Sequence, residues 1–249
     1  QIGFQESPTV ELVSPVTKYS KIITDANSIK YELEKAIFLA KEGRPGPVLL
    51  DIPMNIQTTE INPNNLEGFD SSAFKESYDL KTVDKKIIKY LEDLSKSERP
   101  VILVGAGVRH AKGIKELLEL GKTLKIPMFP TWNAVDIVTS DNDFYGGRVG
   151  TYGGKGRNFA IQNSDLLLAI GSRISGRITG GKPETFARDA KKYVADVDKY
   201  LIQRKVQPVP FDENIFCDAK IFLERMNQII KNQDTPKDFS NWNKKVFEW

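Results

Sequence analysis

The chain has 249 residues, 40% of them hydrophobic and 28% charged, a balance that allows a buried core and excludes disordered and collagen-like proteins. Its 36 Lys and Arg residues are interspersed with 33 Asp and Glu residues, for a net charge of +3, so the charge indicates neither nucleic-acid nor membrane binding. One cysteine, Cys217, cannot form an internal disulfide, and with the single His110 it argues against structural zinc and Ser-His-Asp catalysis.

The two ends of the sequence bear on location and completeness. No apolar run approaches the roughly 20 residues that span a bilayer, and no signal-peptide pattern follows Gln1, so a cytoplasmic protein is expected. The sequence begins without Met and stops at Trp249 with no helix stop signal before it. We therefore expect a fragment of a longer protein.

The first elements predicted along the chain are a helix and a strand. Apolar residues at helical spacing, among them Ile29 and Leu33, predict a helix over residues 24–43. The proline-bounded apolar run 47–53 predicts a short buried strand. The periodicity then disappears over residues 57–81, where Asn, Pro, Gly and Ser accumulate, and this predicts a linker between domains.

A second run of alternating helices and strands follows the linker. Helical stripes are predicted over 83–94 and 114–124, with a closing helix over 219–230. Apolar strands are predicted at four places, namely 101–104, 127–131, 165–170 and 193–197. Strands that alternate with helices indicate an α/β fold, in which helices cover both faces of a parallel sheet.

A glycine turn, residues 105–107, follows the first strand of this second run. In such a turn, backbone N–H groups and a helix N-terminus can face an anionic group, usually a phosphate. The dinucleotide-binding pattern G-x-G-x-x-G is incomplete because His110 stands at its third glycine, and we expect that imidazole to face solvent. A tight strand-to-helix turn without a ligand explains the motif equally well.

Two further glycine-rich segments accompany the predicted strands. Six glycines lie within 146–156, which is typical either of a mobile surface loop or of backbone that approaches a flat or phosphorylated ligand. The third segment, 171–177, follows the strand 165–170. Since the carboxyl ends of parallel strands share one edge of the sheet, the three segments should meet there, which favours a nucleotide site.

Two aspartates and three tryptophans complete the candidate residues. Asp196 and Asp198 end another predicted strand, where a carboxylate either accepts hydrogen bonds from a ribose or ribityl hydroxyl or caps a helix. We favour the ligand role because of the glycine segments nearby. Trp132, Trp242 and Trp249 are interpreted as packing residues rather than stacking platforms.

Motifs in a fixed order run through nearly the whole chain. In the N-terminal part they are 3–6 (Gly-Phe-Gln-Glu), 15–19 and 43–53. In the remainder they are 105–107, 147–153, 163–165, 171–173 with Arg177, and 196–198. Together they resemble the thiamine-diphosphate-dependent enzymes, most closely the acetolactate synthase large subunits.

The resemblance implies a large enzyme of three α/β domains. Its domains would map onto the chain as residues 1–56, the C-terminal part of the pyrimidine-binding domain; 57–81, a linker; 82–231, a central Rossmann-like FAD- or nucleotide-binding domain; and 232–249, the start of a linker to a diphosphate-binding domain. In such enzymes thiamine diphosphate, held with Mg²⁺, decarboxylates a 2-oxo acid and passes the acyl group to an acceptor. The expected assembly is a homodimer or homotetramer, and a regulatory subunit stays an open question.

The resemblance also assigns residues. Those expected to contact FAD are Arg44, Gly105, Ala106, Gly107, Thr131, Trp132, Gly150, Thr151, Tyr152, Gly153, Gly171, Arg173 and Asp196. Phe4 and Gln5 would lie at the mouth of the active site, and Arg177 would meet the substrate carboxylate. The family's glutamate that assists the cofactor and its metal-binding Gly-Asp-Gly motif are not identified in this sequence, so no catalytic or metal residue is assigned and the chain alone is expected to be inactive.

Three departures from the family pattern bear on the substrate. Met54-Asn55 stand in place of Lys-Asp, Ser175-Gly176 in place of Asp-Asp, and Tyr152 in place of His. Exchange of lysine for methionine removes a cation and adds a flexible apolar group, which allows an acceptor other than pyruvate.

Other functions fit parts of the pattern. One is a non-catalytic nucleotide-binding or regulatory module, and another is a thiamine-diphosphate decarboxylase or lyase whose central domain binds ADP or no ligand. The half-domain over 4–53 argues against a stand-alone module. An NAD-dependent deacylase needs a zinc module and a catalytic histidine, which one cysteine and one histidine do not supply.

Overall fold

The computed structural model describes residues 3–4, 6–200, 209–232 and 237–249. The chain divides into two compact units, residues 1–77 and 78–249. Within the described ranges, every helix is too short or too polar to cross a membrane.

The first unit is built on a two-stranded parallel sheet. Its elements are α1 (Thr9–Val13), β1 (Tyr19–Ile22), α2 (Ile29–Lys41), β2 (Val48–Asp51) and α3 (Met54–Gln57). Tyr19 pairs with Val48 and Ile22 with Asp51. The predicted helix and strand are observed as α2 and β2, but β2 is half-buried rather than buried, because its sheet has only one other strand. Strand β1 was not predicted, because its Tyr-Ser-Lys-Ile is short, partly polar and half exposed, and so carries no strand periodicity.

The predicted linker contains short 3₁₀ turns at Pro63–Asn65 and Ser72–Phe74. Its Phe69 ring packs against Tyr31 and Phe38 of α2, with ring centroids 5.4 and 5.7 Å apart. The stretch up to residue 77 therefore packs within the first unit.

The second unit is an α/β layer structure. Its strands are β3 (Pro100–Val104), β4 (Met128–Pro130), β5 (Leu166–Ile170), β6 (Lys191–Asp196) and β7 (Glu213–Phe216). Its helices are α4 (Leu80–Lys96), α5 (Gly107–His110), α6 (Ile114–Leu124), α7 (Lys155–Gln162), α8 (Gly176–Thr179), α9 (Ala219–Lys231) and α10 (Ser240–Glu248). The four predicted strands and the three predicted helices of this unit are confirmed.

The five strands form a parallel sheet in the order β4-β3-β5-β6-β7. Alternate residues of each central strand enter separate cores, as Ile102 and Leu103 of β3 show. One core is closed by α4, α6 and α9, and the other by α7, α8 and α10. The expected α/β fold with helices on both faces is therefore confirmed.

Several elements of this unit were not predicted, among them the four-residue helices α5 and α8. Strand β7 has only four residues and begins with Glu213 and Asn214, so it lacks an apolar run. Helix α7 contains Gly156 in its first turn, and α10 shows only Trp242 and Val246 as buried positions. Each of these signals is too short for periodicity to detect.

Candidate functional site

The carboxyl ends of four strands lie in register at one edge of the sheet. Val104 of β3 pairs with Pro130 of β4 and with Ile170 of β5, and Ile170 pairs with Ala195 of β6. Strand β4 lies on one side of β3, and β5, β6 and β7 follow on its other side. The position between β3 and β5 is therefore a topological switch point, where open α/β sheets bind ligands. The structure thus brings the segments after these four strands, which hold most of the predicted site residues, to one edge.

The glycine turn after β3 packs directly on the loop after β5. A Cβ built on Gly105 would lie 2.0 Å from the Gly171 carbonyl oxygen, and one on Gly107 would lie 2.7 Å from the Gly171 Cα. Gly171 itself has a φ of +57°, in the left-handed region that favours glycine. Close backbone packing therefore requires all three glycines.

Hydrogen bonds within the protein already use the N–H groups of Gly105, Gly107 and Val108. Gly105 donates to the carbonyl of Ile170 (2.9 Å), Gly107 to that of Gly171 (3.1 Å), and Val108 to that of Gly105 (3.2 Å). Of the two interpretations of this motif, the geometry favours the tight turn over a phosphate cradle formed by these three amides. His110, at the end of the turn's short helix, is exposed as expected.

The glycines of 146–156 are also explained by packing. A Cβ on Gly146 would meet the Phe129 ring at 2.5 Å, and one on Gly156 would meet the Trp249 carbonyl oxygen at 2.2 Å. Gly150 has a φ of +101°, and its Cβ would lie 2.4 Å from the carbonyl oxygen of Arg177. This last contact brings the segment to α8, the short helix that follows β5.

An aromatic pair, Trp132 and Tyr152, lies beside Arg177. The two rings are tilted at 52° with centroids 4.9 Å apart, and the Arg177 guanidinium carbon lies 5.3 Å from the Trp132 ring centroid. Trp132 is half-buried, whereas Tyr152 and Arg177 are exposed. Trp132 packs against Tyr152 and Arg177 as the packing interpretation expected, with part of its surface exposed. Trp242 is buried, and its indole N–H donates to the Pro100 carbonyl (3.0 Å).

Hydrogen bonds hold the backbone on either side of this cluster. The Thr151 N–H and hydroxyl donate to the Arg177 carbonyl at 2.9 and 3.2 Å. The Thr131 N–H donates to the Val104 carbonyl (2.8 Å), which fixes the segment that carries Trp132.

Arg109 adds a further tie between the turn after β3 and the loop after β4. Its guanidinium donates to the Asn133 carbonyl (2.9 Å) and to both carboxylate oxygens of Asp136. The hydrogen bond from Arg109 holds the pKa of Asp136 below its usual value. The segment that carries Trp132 is thus anchored on both sides.

The two aspartates that follow β6 adopt local turns. Asp196 Oδ1 accepts from the N–H of Asp198 (2.9 Å), and Asp198 Oδ1 accepts from the N–H of Tyr200 (2.9 Å). Asp196 also stands at the carboxyl edge, one residue beyond Ala195 in the register row. The turn role is observed, and the ligand role of Asp196 stays a prediction.

The predicted residues of the first unit are described separately. Arg44 follows Gly43, which has a left-handed φ of +58°. The Arg44 carbonyl accepts a hydrogen bond from Lys18 Nζ (3.0 Å). Phe4 is 97% exposed. Gln5 lies outside the described residues.

The segment 146–182, which reaches this edge, is positively charged. Residues 146–182 contain six Arg and Lys residues and one acidic residue, Asp165. Asp165 precedes β5 and so stands at the opposite, amino edge of the sheet. The segment 146–182 therefore favours anions, whereas Asp196 places a negative charge at the same edge. In the described residues, no group of three or more His, Cys, Asp or Glu side chains is placed to hold a metal ion.

Two features of the site were beyond sequence reasoning. The Trp132–Tyr152–Arg177 cluster joins residues from three segments, and only the resemblance pointed to all three. Ile174 has a φ of +45°, unusual for a β-branched residue, in the loop after β5. Its N–H meets the Ser172 hydroxyl at 3.4 Å, and no local sequence pattern signals this conformation.

Residues 87–226 match the family model described as thiamine pyrophosphate enzyme, central domain. This match covers more than half of the chain. The chain belongs to the thiamine pyrophosphate enzyme family. The five-stranded parallel sheet with helices on both faces is its central domain, and the candidate edge lies in that domain.

Individual relatives extend the similarity over nearly the whole chain. Acetolactate synthase, chloroplastic, of Arabidopsis thaliana is 31% identical over 245 residues, which cover 96% of this chain and 35% of that protein. Acetolactate synthase 1, chloroplastic, of Zea mays is 33% identical over 248 residues, with 97% and 37% covered. Probable acetolactate synthase 2, chloroplastic, of Oryza sativa subsp. japonica is 34% identical over 250 residues, with 96% and 36% covered. The chain thus spans little more than a third of the length of these relatives.

Proposed function

We propose that this chain is part of an acetolactate synthase-like enzyme that decarboxylates a 2-oxo acid and transfers the acyl group to an acceptor. The observation that carries the proposal is the family match over residues 87–226, extended by relatives named acetolactate synthase over nearly the whole chain. Thiamine diphosphate would supply the electron sink for decarboxylation. Since the described residues offer no metal cluster, we expect Mg²⁺ and the diphosphate to be held by other parts of the complete protein.

The central domain would bind an anionic ligand at the carboxyl edge of its sheet. Arg177 supplies fixed, parallel N–H donors that suit a carboxylate or phosphate, and the aromatic pair offers an apolar surface beside them. The aromatic pair suits the flat ring system of a nucleotide such as FAD. The amides of Gly105 and Gly107 are engaged, so the phosphates of such a ligand would rely on side chains, with Arg173 an exposed candidate.

Calorimetric titration of the chain with FAD, and separately with ADP, tests the nucleotide site. We expect heat with at least one of them, at weak affinity, and the same ligand should lose affinity in an Arg173→Gln variant. Heat with ADP alone would favour the alternative of a decarboxylase or lyase whose central domain holds ADP. Absence of heat with both nucleotides, at protein concentrations well above micromolar, would contradict the nucleotide site.

The reaction itself needs the complete protein that contains this chain. We expect release of carbon dioxide from a 2-oxo acid that depends on added thiamine diphosphate and Mg²⁺, while this chain alone is inactive. Analysis of the products separates carboligation from simple decarboxylation. If the complete protein binds nucleotide and releases no carbon dioxide from any 2-oxo acid, the non-catalytic module is the better description.

Assembly and location belong to the same proposal. We expect a homodimer or homotetramer of the complete protein, and light scattering that gives a monomeric mass with activity retained would contradict this. The cytoplasmic location expected from the sequence stays a prediction, which cell fractionation of the complete protein tests.

A further inference from the structure

We infer that Trp132 is a positioning residue for Arg177, whose guanidinium it holds so that the free donors meet the carboxylate of a bound ligand. The inference rests on the proposed function, which gives this edge an anionic substrate. The guanidinium carbon lies 5.3 Å from the Trp132 ring centroid, within cation–π range. Among the described residues, Arg177 forms no ion pair, and its side chain is exposed.

The backbone on both sides of this contact is fixed, so the ring has a defined place from which to act. The Arg177 carbonyl accepts two hydrogen bonds from Thr151, the residue next to Tyr152. The Tyr152 ring supports Trp132 at a centroid distance of 4.9 Å. The flexible part is therefore the Arg177 side chain. The cation–π contact orders this side chain before a ligand binds, which lowers the entropy cost of binding.

The backbone beside the arginine is open to solvent. A Cβ built on Gly176 meets no atom within 4 Å, and the residue does not have a positive φ. Gly105, Gly146, Gly150 and Gly156 differ in this respect, because protein atoms fill the space at each of them. Gly176 thus leaves the flank of Arg177 open.

Proton–nitrogen NMR of the chain, with pyruvate as the carboxylate probe, tests the inference. The side-chain signals of Arg177 should carry a ring-current shift that Trp132→Leu removes and Trp132→Phe retains in part. The dissociation constant for pyruvate should rise roughly two- to fivefold in Trp132→Leu, the factor expected of an exposed cation–π contact. It should rise roughly tenfold or more in Arg177→Gln. Trp249→Leu, which changes an exposed tryptophan elsewhere, is the matched control and should bind pyruvate as the unchanged chain does.

The double variant decides whether Trp132 acts through Arg177. If it does, Trp132→Leu with Arg177→Gln binds pyruvate no more weakly than Arg177→Gln alone. The inference is overturned if the two effects multiply, if Trp132→Leu binds like the unchanged chain, or if the unchanged chain does not respond to pyruvate. The complete protein could release no carbon dioxide while this chain still binds pyruvate and shows the coupling between Trp132 and Arg177. That result would contradict the proposed reaction and support the positioning role.

Discussion

Gly105 and Gly176 stand near the same edge of the sheet for different physical reasons. A Cβ at Gly105 would lie 2.0 Å from the Gly171 carbonyl oxygen, a backbone atom that cannot rotate away. At Gly176 the same Cβ meets nothing within 4 Å. We expect Gly105→Ala to lower the free energy of unfolding by at least about 2 kcal/mol, whereas Gly176→Ala should leave it unchanged or slightly higher.

Thermal unfolding followed by circular dichroism measures both glycine variants under one set of conditions. Equal melting temperatures for the two variants would show that the loops after β3 and β5 separate without cost. The close approach of Gly105 to Gly171 would then be unimportant for stability.

Asp165 acts at the amino edge of the sheet. It accepts hydrogen bonds from the Ser97 hydroxyl (2.5 Å) and from the N–H groups of Glu98 (2.8 Å) and Arg99 (3.0 Å). Burial tends to raise the pKa of this carboxyl, but the three hydrogen bonds outweigh it and hold the pKa below 3.8. The carboxylate therefore fixes the chain that leads into β3.

Replacement of Asp165 has a pH-dependent consequence. Because its folded pKa is depressed, the stabilisation is present above the unfolded pKa and is lost as the pH falls through the folded pKa. We expect Asp165→Asn to cost about 1–3 kcal/mol near neutral pH, with the difference from the unchanged chain shrinking as the pH falls below 3.8. Urea unfolding across this pH range measures the effect. The control is Asp189→Asn, an exposed carboxylate, and a cost as large as that of Asp165→Asn would contradict the explanation.

Helix α4 and strand β6 meet through two tyrosines that are fully buried. The rings of Tyr90 and Tyr193 pack edge to face with centroids 5.2 Å apart. The Tyr193 hydroxyl donates to Asp93 Oδ2 (2.5 Å), which also accepts from Lys191 Nζ (2.6 Å). The Tyr90 hydroxyl has no hydrogen-bond partner among the described residues.

The two hydroxyls should therefore respond in opposite ways to removal. Tyr193→Phe should cost about 1–3 kcal/mol, because it removes a hydrogen bond to a charged carboxylate. Tyr90→Phe should be neutral or stabilising by up to about 2 kcal/mol, because an unsatisfied buried hydroxyl is lost while the ring stays. Chemical denaturation of both variants measures this, and a large loss of stability in Tyr90→Phe would mean that its hydroxyl has a partner.

At the scale of the whole molecule, the two units differ in how much they bury. Both hydrophobic cores lie entirely within residues 78–249. Of the described residues of the first unit, Ile23, Ala26, Glu32 and Ala36 are buried, around a sheet of two strands. A two-stranded sheet with so small a core is marginal in water.

We expect a polypeptide of residues 78–249 to fold alone, with one cooperative unfolding transition. A polypeptide of residues 1–77 should show little stable structure by circular dichroism and hydrogen exchange. A cooperative transition in 1–77, or none in 78–249, would contradict this division of stability.

The sequence by itself determined the α/β class, four of the five strands of the second unit and the edge at which the candidate residues meet. Apolar runs such as 101–104 specify buried strands locally, and parallel pairing then forces their carboxyl ends together. It also supplied an ordered set of motifs that pointed to the family, and the family match confirmed that assignment. The weak signals of β1, β7 and α10 were missed because their neighbours in space, rather than their own periodicity, stabilise them.

Only the tertiary structure decided what the glycines and Trp132 do. A glycine in the sequence can indicate a close approach at its Cα. The sequence does not show whether protein atoms or a ligand make that approach. At Gly105 and Gly171 the neighbouring loop fills that space, whereas beside Gly176 it stays open. The contact of Trp132 with Arg177 spans 45 positions of sequence, so it exists only once β4 and β5 flank β3 in the sheet.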